Sequence, residues 1–520
     1  MDLTVLLFLL LYFLGMLAVG VISMRRGGAS SMEGYYLGGR NVGPLVTAMT
    51  MQSTSMSGYM FLGAGSLGYT QGYYGFWYAA GDIGGGVVNL SVLGRKMRKL
   101  SQIMGALTSI EYLEKRYPSK WVRLFAAVLS VFLLGAYVLA QFIAGGKGLE
   151  LVTGLPYEAA LAIAVAVILA YTLMGGYGAV AYTDLLQSFV MIIGIVWILI
   201  ATLQEVGGFT AANEALGSLD PTLLSVWGRD LAYEGQWGIV LGALLIFSIG
   251  YMGWPHVVTR HMAMRNPFHA RRAGVYSTLW NLIFVSAPYI LGVLAILVLP
   301  DLDDPEQAIF ALAQNLLPSA VVGIVMAAIM AAIMSTADSI LLQTGSIAAR
   351  DLYERFINPN MKEVQMVRVS QIIVLLVGIA CGLIALFEPP AVFAVVVFTT
   401  SVLGSAFLPA YVCAVWWEKA NTPGALSSMI VGSGVAFIWQ YFQLDGVTEI
   451  HPMLAGLVLS SLTMFLVSLL TQRSHPVPEH ILTAIRETDE LRPLPNRLKA
   501  QQDFALANEA YCVSYSSGGR

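Results

Sequence analysis

Two adjacent hydroxyls, Ser335 and Thr336, stand near the end of an apolar run, in Ala331-Ala332-Ile333-Met334-Ser335-Thr336-Ala337-Asp338-Ser339. A hard cation wants several oxygens, and an unwound backbone with two hydroxyls supplies them without a full charge. Small residues in the same stretch allow another helix to approach closely. Hydroxyls in membrane helices also bond back to their own carbonyls, so the motif alone leaves both readings open. Asp338 adds an intramembrane carboxylate. Asp184, in Tyr182-Thr183-Asp184-Leu185, and Asp82, set among glycines, are the other ionisable groups in apolar surroundings. Charge at such depth is costly and is by default functional. Asp184 lies close enough to the edge of its run to be merely solvated, and the sequence names no partner for Asp82.

The elements that must position these groups include two spans with weak centres. Residues 44–65, PLVTAMTMQSTSMSGYMFLGAG, are long enough to cross a bilayer, yet Gln52-Ser53-Thr54-Ser55-Met56-Ser57-Gly58 interrupts them where a span should be driest. In hydrocarbon every backbone N–H and C=O must be satisfied, so such a centre survives only buried in protein or lining a wet cavity. The second is Phe247-Ser248-Ile249-Gly250-Tyr251-Met252-Gly253-Trp254-Pro255-His256. Its proline removes a donor and obstructs the preceding turn, while its glycines lower the cost of leaving helical geometry.

The surrounding chain is a polytopic all-α membrane protein: 520 residues, 57% hydrophobic and 11% charged, with a mean hydropathy of +0.71. Spans of about twenty residues are expected at 3–23, 44–65, 74–93, 121–146, 157–178, 181–203, 236–258, 274–299, 318–346, 366–387, 390–417, 423–443 and 452–471. The first has no basic leader and no cleavage pattern, which marks a retained helix and not a signal peptide. With about 13 transmembrane helices and the N-terminus outside, every Lys and Arg except Lys147 and Arg229 falls on the cytoplasmic side, as the positive-inside rule requires. Arg40, Arg260 and Arg271 are among these loop charges. The interrupted spans are the second and the seventh. A repeat displaced by five helices is necessarily inverted, and paired broken helices at matching places point to a transporter's midplane site.

Cys381, Cys413 and Cys512 form no pair at metal or redox spacing, and the six histidines are scattered. No motif-bearing nucleophile with a base and no phosphate loop is found, so an enzyme is not expected. After Gln472 the chain becomes polar and proline-punctuated, a cytoplasmic tail with short helical segments and partial disorder.

These stretches together resemble the sodium/solute symporter family, especially its sodium/proline and sodium/pantothenate branches. The resemblance rests on Tyr36-Leu37-Gly38-Gly39-Arg40 before the first broken span, on Gly175-Gly176 with Thr183-Asp184, and on Gly253-Trp254-Pro255-His256. It extends through Ala331-Ala332-Ile333-Met334-Ser335-Thr336 to Asp351-Leu352-Tyr353, and through Glu418-Lys419-Ala420-Asn421. It implies a LeuT-like inverted 5+5 helix repeat: repeat 1 over 44–203, repeat 2 over 234–418, one helix and loop before them (1–43), two helices after (419–472) and the tail (473–520). It also implies co-transported Na+ bound by the carbonyls of Ser53, Met56 and Ala332 and the hydroxyls of Ser335 and Thr336. Asp184 matches an acidic residue on the sodium release route. The solute would touch Ser57, Gly58, Tyr251, Trp254 and Pro255, with Phe247 in the pocket wall and Tyr137 and Gln141 of the fourth span nearby.

Two departures bear on the substrate. The sodium/proline symporters carry an aspartate where Ser55 stands and a tryptophan where Phe247 stands, whereas Tyr251 is as in those transporters. The expectation is sodium-coupled uptake of a small organic solute by alternating access, proline or a similar amino acid favoured. Alternatives are a sodium/pantothenate or monocarboxylate symporter and, from another class, a transporter-like membrane sensor. The expected setting is the bacterial cytoplasmic membrane, with lipid, solute and sodium as partners, no nucleic acid, and a functional monomer.

Overall fold

The computed structural model describes residues 3–25, 31–229, 237–387, 392–489 and 500–509. Arg26, Arg492, Arg497, Lys499, Arg520 and Cys512, and the boundaries expected at 234 and 390, lie outside the described residues. Apolar chain in a bilayer must satisfy its backbone internally, and among the described residues the chain is helical, with one isolated bridge between Val42 and Met264. Nine of these helices are long and apolar enough to cross a membrane.

The other four expected spans are the ones the structure interrupts or shortens. Pro44–Ser55 opens on proline, whose missing N–H costs nothing at a first turn, and stops at Met56 (φ −90, ψ 74). Helix resumes through the π-helical Met60–Ala64 into Gly65–Gln71. In the seventh span Trp237–Ile246 gives way to the 3-10 turn Gly250–Gly253, extended Trp254, and Pro255–Ala263, again opened by proline. Phe76–Asn89 continues as the π-helical Leu90–Gly94. The fifth and sixth expected spans run together as Tyr157–Glu205, turned at Gly176 (φ 58, ψ −156), where a Cβ would meet the Tyr35 ring and backbone.

Ser319–Ile347 is the central element, buried almost from Val322 to its end. It packs against Lys120–Thr153, Tyr157–Glu205 and Leu3–Arg25. Leu3–Arg25 turns Leu7, Leu10, Leu11 and Leu14 outward, and Glu363–Ala385 does the same with Ile372, Leu376, Ile379 and Leu383, the apolar faces a bilayer would cover.

Several of the basic residues expected between spans on the cytoplasmic side are not exposed to solvent. Lys96, Arg98, Lys99, Arg116, Arg123 and Arg260 are buried. Arg116 meets unsatisfied carbonyls at a helix end, donating to Ala414 (3.0 Å), Ala420 (3.0 Å) and Trp417 (3.2 Å), and Arg123 pairs with Glu114 at 2.7 Å and Asp351 at 2.8 Å. The described tail is also engaged, with Asp489 paired to Lys96 at 2.6 Å and Arg486 to Glu418 at 3.0 Å.

Candidate functional site

The break after Ser55 frees carbonyls that a continuous helix would have used, and the hydroxyls of Ser319–Ile347 meet them. Ser335 Oγ donates to the Ser53 carbonyl at 2.9 Å and lies 3.2 Å from that of Ala332. Thr336 Oγ1 lies 2.9 Å from the Thr54 carbonyl, 3.2 Å from Ala332 and 3.5 Å from Ser53. Of the expected ligands, Ser53, Ala332, Ser335 and Thr336 are brought together. The Met56 carbonyl is not among the oxygens these hydroxyls reach, and that of Thr54 is. Ser55 turns its hydroxyl back to Met51 O at 2.8 Å, the ordinary behaviour of a helical serine.

A carboxylate lies one layer further along. Asp184 is fully buried, so the solvated alternative for it falls away. Its Oδ2 accepts from Thr50 Oγ1 at 2.5 Å and lies 3.3 Å from the hydroxyls of both Thr54 and Ser339. Arg260 Nη2 is 3.7 Å away and donates to Thr54 Oγ1 at 2.6 Å and Ser339 Oγ at 2.7 Å. Thr54 Oγ1 is also 3.3 Å from the Ser335 carbonyl, so hydroxyls connect the carbonyl cluster to the carboxylate. Sequence reasoning does not single out Thr50, Thr54 or Ser339 as site residues. Thr50 and Thr54 are four residues apart, as are Ser335 and Ser339, spacings that stack side chains on one helix face. Arg260 gave no such signal, because it reads as a loop charge. Asp338 is buried, with the Tyr171 hydroxyl and the Ser339 backbone N–H beside its carboxylate.

On the other side of the first break, Gly58 N donates to Gln141 Oε1 at 3.0 Å and Tyr137 OH to Ser57 Oγ at 3.4 Å. A Cβ on Gly58 would sit 2.8 Å from Ile333 and 3.2 Å from Gln141, so the helix restarts in contact with both neighbours. The rings expected at the solute site also pack against one another. The Phe247 ring stacks on Tyr59 at 5.1 Å, Tyr251 meets Trp254 edge-on at 4.4 Å, and Trp254 stacks on His256 at 5.7 Å. Pro255 opens the helix beyond. Asp82 receives a hydrogen bond from Tyr59 OH at 2.8 Å and another from Tyr251 OH, the partners the sequence did not name. Arg40 lies apart from all of this: it pairs with Glu33 at 3.0 Å and donates to Met262 O at 2.9 Å and Ala106 O at 2.5 Å, tying loop to helix end.

Two interrupted helices thus bring an oxygen-rich cluster and an aromatic cluster together inside a helical membrane protein. The chain is similar to known proteins in fold and in sequence. A solved Na+-coupled sialic acid symporter in a substrate-bound outward-open state superposes with a TM-score of 0.76 at 19% identity, over 92% of this chain and 98% of that one, which establishes the fold. The osmoregulated proline transporter OpuE of Bacillus subtilis is 28% identical over 91% of this chain and 96% of its own. The sodium/pantothenate symporter of Escherichia coli is 33% identical over 89% and 95%. Residues 35–432, which hold both breaks and the hydroxyl pair, match the family model described as sodium:solute symporter family, and to that family this chain belongs.

Proposed function

We propose that this symporter carries a small amino acid, proline foremost, inward with sodium by alternating access. The observation that carries the sodium half is the meeting of Ser335 and Thr336 with the Ser53 and Thr54 carbonyls across two helices. A hydroxyl holds lone pairs as well as a proton, so each can turn from donating to a carbonyl to joining it around an ion. Sodium then bridges the broken helix to Ser319–Ile347. The ion is held by Ser53, Ala332, Ser335 and Thr336, with the carbonyl of Thr54 or of Met56 completing the set. Asp184 and the hydroxyls of Thr54 and Ser339 mark its way toward the cytoplasm. The solute lies against Ser57, Gly58, Tyr137, Gln141, Phe247, Tyr251, Trp254 and Pro255.

Loading sodium stiffens the outward-facing pocket. Solute binds that state better, since only differential affinity shifts a conformational equilibrium. The membrane potential adds about 2.3 kcal/mol per charge per 100 mV. The N-terminus is outside and the C-terminus cytoplasmic, supported by the loop charges. The reading includes a functional monomer. A pantothenate or monocarboxylate solute is the second reading, favoured by the 33% identity to a sodium/pantothenate symporter.

The test is uptake of labelled proline, pantothenate and small carboxylates into proteoliposomes with and without an inward sodium gradient. Sodium-dependent proline accumulation is expected. Preference for pantothenate would replace the amino-acid reading, and uptake driven by a pH gradient without sodium would replace sodium by a proton.

A further inference from the structure

We propose that Asp82, held between Tyr59 and Tyr251, selects a solute that carries a cationic amine. This rests on the solute site proposed above and adds the charge class of what occupies it.

Asp82 is fully buried in Phe76–Asn89. Tyr59, just past the first break, donates to its Oδ2 at 2.8 Å, and Tyr251, within the second break, donates to its Oδ1. One carboxylate therefore touches both interrupted helices. Glycines on the same helix bring it there: a Cβ on Gly81 would run into the Leu244 carbonyl, and one on Gly85 into the Phe247 carbonyl and the Tyr251 ring. Asn281 Nδ2 holds the helix in register by donating to the Asp82 carbonyl at 2.7 Å.

Two phenols do not require a charged acceptor. A side-chain amide would accept from one phenol through its oxygen and donate to the other through its N–H, at a smaller cost of burial. Among the described residues the carboxylate has phenols and no cation as its partners. A carboxylate offers about four acceptor positions, and the phenols take one on each oxygen, leaving room for a further donor. The rings beside it are the stacked pair Tyr59 and Phe247, Tyr251 against Trp254, and Tyr78 at 5.8 Å from Phe247. Aromatic faces attract a desolvated ammonium, and a carboxylate among them completes its pairing.

The site also holds groups suited to the opposite end of a zwitterion. The Trp254 ring neighbours both Tyr251 and His256, and His256 meets Tyr137 edge-on at 6.1 Å. Both His256 ring nitrogens and Gln141 Nε2 are buried without a hydrogen-bond partner. Gln141 Nε2 and the one N–H of a neutral His256 ring are donors for a solute carboxylate, while Asp82 takes the amine.

The test is sodium-driven uptake of labelled L-proline in proteoliposomes. Competitors that keep the cation (L-alanine, trimethylglycine) are compared with isosteres of proline that lack it (tetrahydrofuran-2-carboxylate, cyclopentanecarboxylate). In the unmodified protein the cationic competitors should inhibit at least about tenfold better, because a buried charge left unpaired penalises the isostere. Asp82→Asn should raise the proline KM about tenfold or more and erase most of that discrimination, with sodium half-saturation within about twofold. Asp82→Glu, which keeps the charge, should restore discrimination, and sodium-induced tryptophan fluorescence change in the purified variants shows that each is folded.

The proposal is overturned if Asp82→Asn keeps both KM and discrimination, or if it shifts sodium dependence while discrimination survives. It is equally overturned if the isosteres that lack the cation compete as well as the cationic solutes in the unmodified protein. Should a labelled panel show transport of a different amine-bearing solute and not proline, the proline reading falls and this one stands. Should the transported solute prove to be pantothenate, which has no cationic group, this one falls and sodium symport stands.

Discussion

The two interrupted helices break by different chemistry, and the proposed division of work between them follows that difference. In the first the break at Met56 and Ser57 contains no proline, and its freed carbonyls at Ser53 and Thr54 face hydroxyls from Ser319–Ile347. In the second, Gly250–Gly253 and Pro255 impose the break covalently, and what it presents is rings: Phe247, Tyr251, Trp254 and His256. A break that depends on its neighbours for satisfaction can respond to an ion that takes over those neighbours. One imposed by proline and glycine stays broken, and suits a fixed wall against which a solute is measured. Asp82 is the point where the two meet, through Tyr59 of the first and Tyr251 of the second.

The strongest way to break this division is the double substitution Ser335→Ala with Thr336→Ala. It should raise the sodium concentration for half-maximal uptake by tens of fold, on the order of 2 kcal/mol for two lost oxygen ligands. Solute KM at saturating sodium and the amount of protein in the membrane should change little. Equal loss in both parameters would merge the two sites into one. Trp254→Ala tests the converse. Removing the ring that neighbours Tyr251 and His256 should raise solute KM about tenfold and leave sodium binding by the purified protein within about twofold. A comparable loss of sodium affinity would show that the second break also serves the ion.

A control lies outside both breaks. Glu111, 3% exposed, is pushed up by burial, but Lys115 and Arg350, each at 3.1 Å, together with Arg123 hold its carboxyl well below the usual carboxylate range. A carboxylate with a depressed pKa contributes stability above its unfolded value and loses it as pH falls through the folded one. Glu111→Gln should therefore cost about 3 kcal/mol at pH 7, read as a lower unfolding temperature in detergent. The gap from the parent should narrow only below pH of about 4. The ratio of sodium half-saturation to solute KM should not move. The smallest effect belongs to Ser55→Ala. Its hydroxyl bonds to Met51, so sodium dependence should shift less than about twofold. A large shift would mean that Ser55 leaves Met51 for the ion during the cycle.

Much of the site was legible because its chemistry is local. Ser335 and Thr336 advertise themselves by adjacency, and the breaks by hydroxyl, glycine and proline in spans that should lack them. The companions were legible only in part. Thr50, Thr54 and Ser339 lie at helical spacing from residues already singled out, yet a hydroxyl on a helix has an acceptor in its own preceding turn, and nothing local says which one it uses. Arg260 was misread because a guanidinium at the end of an apolar run looks like a loop charge until the carboxylate of a distant helix is placed beside it.

The sequence by itself determined that this is a helical membrane protein with two interrupted spans five helices apart, since the bilayer imposes length, apolarity and internal hydrogen bonding on every span. It determined equally that hydroxyls, carboxylates and rings sit where lipid would not tolerate them. Which of these groups meet was left to the tertiary structure. The Thr54 carbonyl reaches the hydroxyl pair through the way two helices cross, and Asp82 reaches Tyr59 and Tyr251 because Gly81 and Gly85 let one backbone lie against another. Contacts between residues far apart in the chain depend on packing of whole faces, a sum over many weak terms that no short stretch carries.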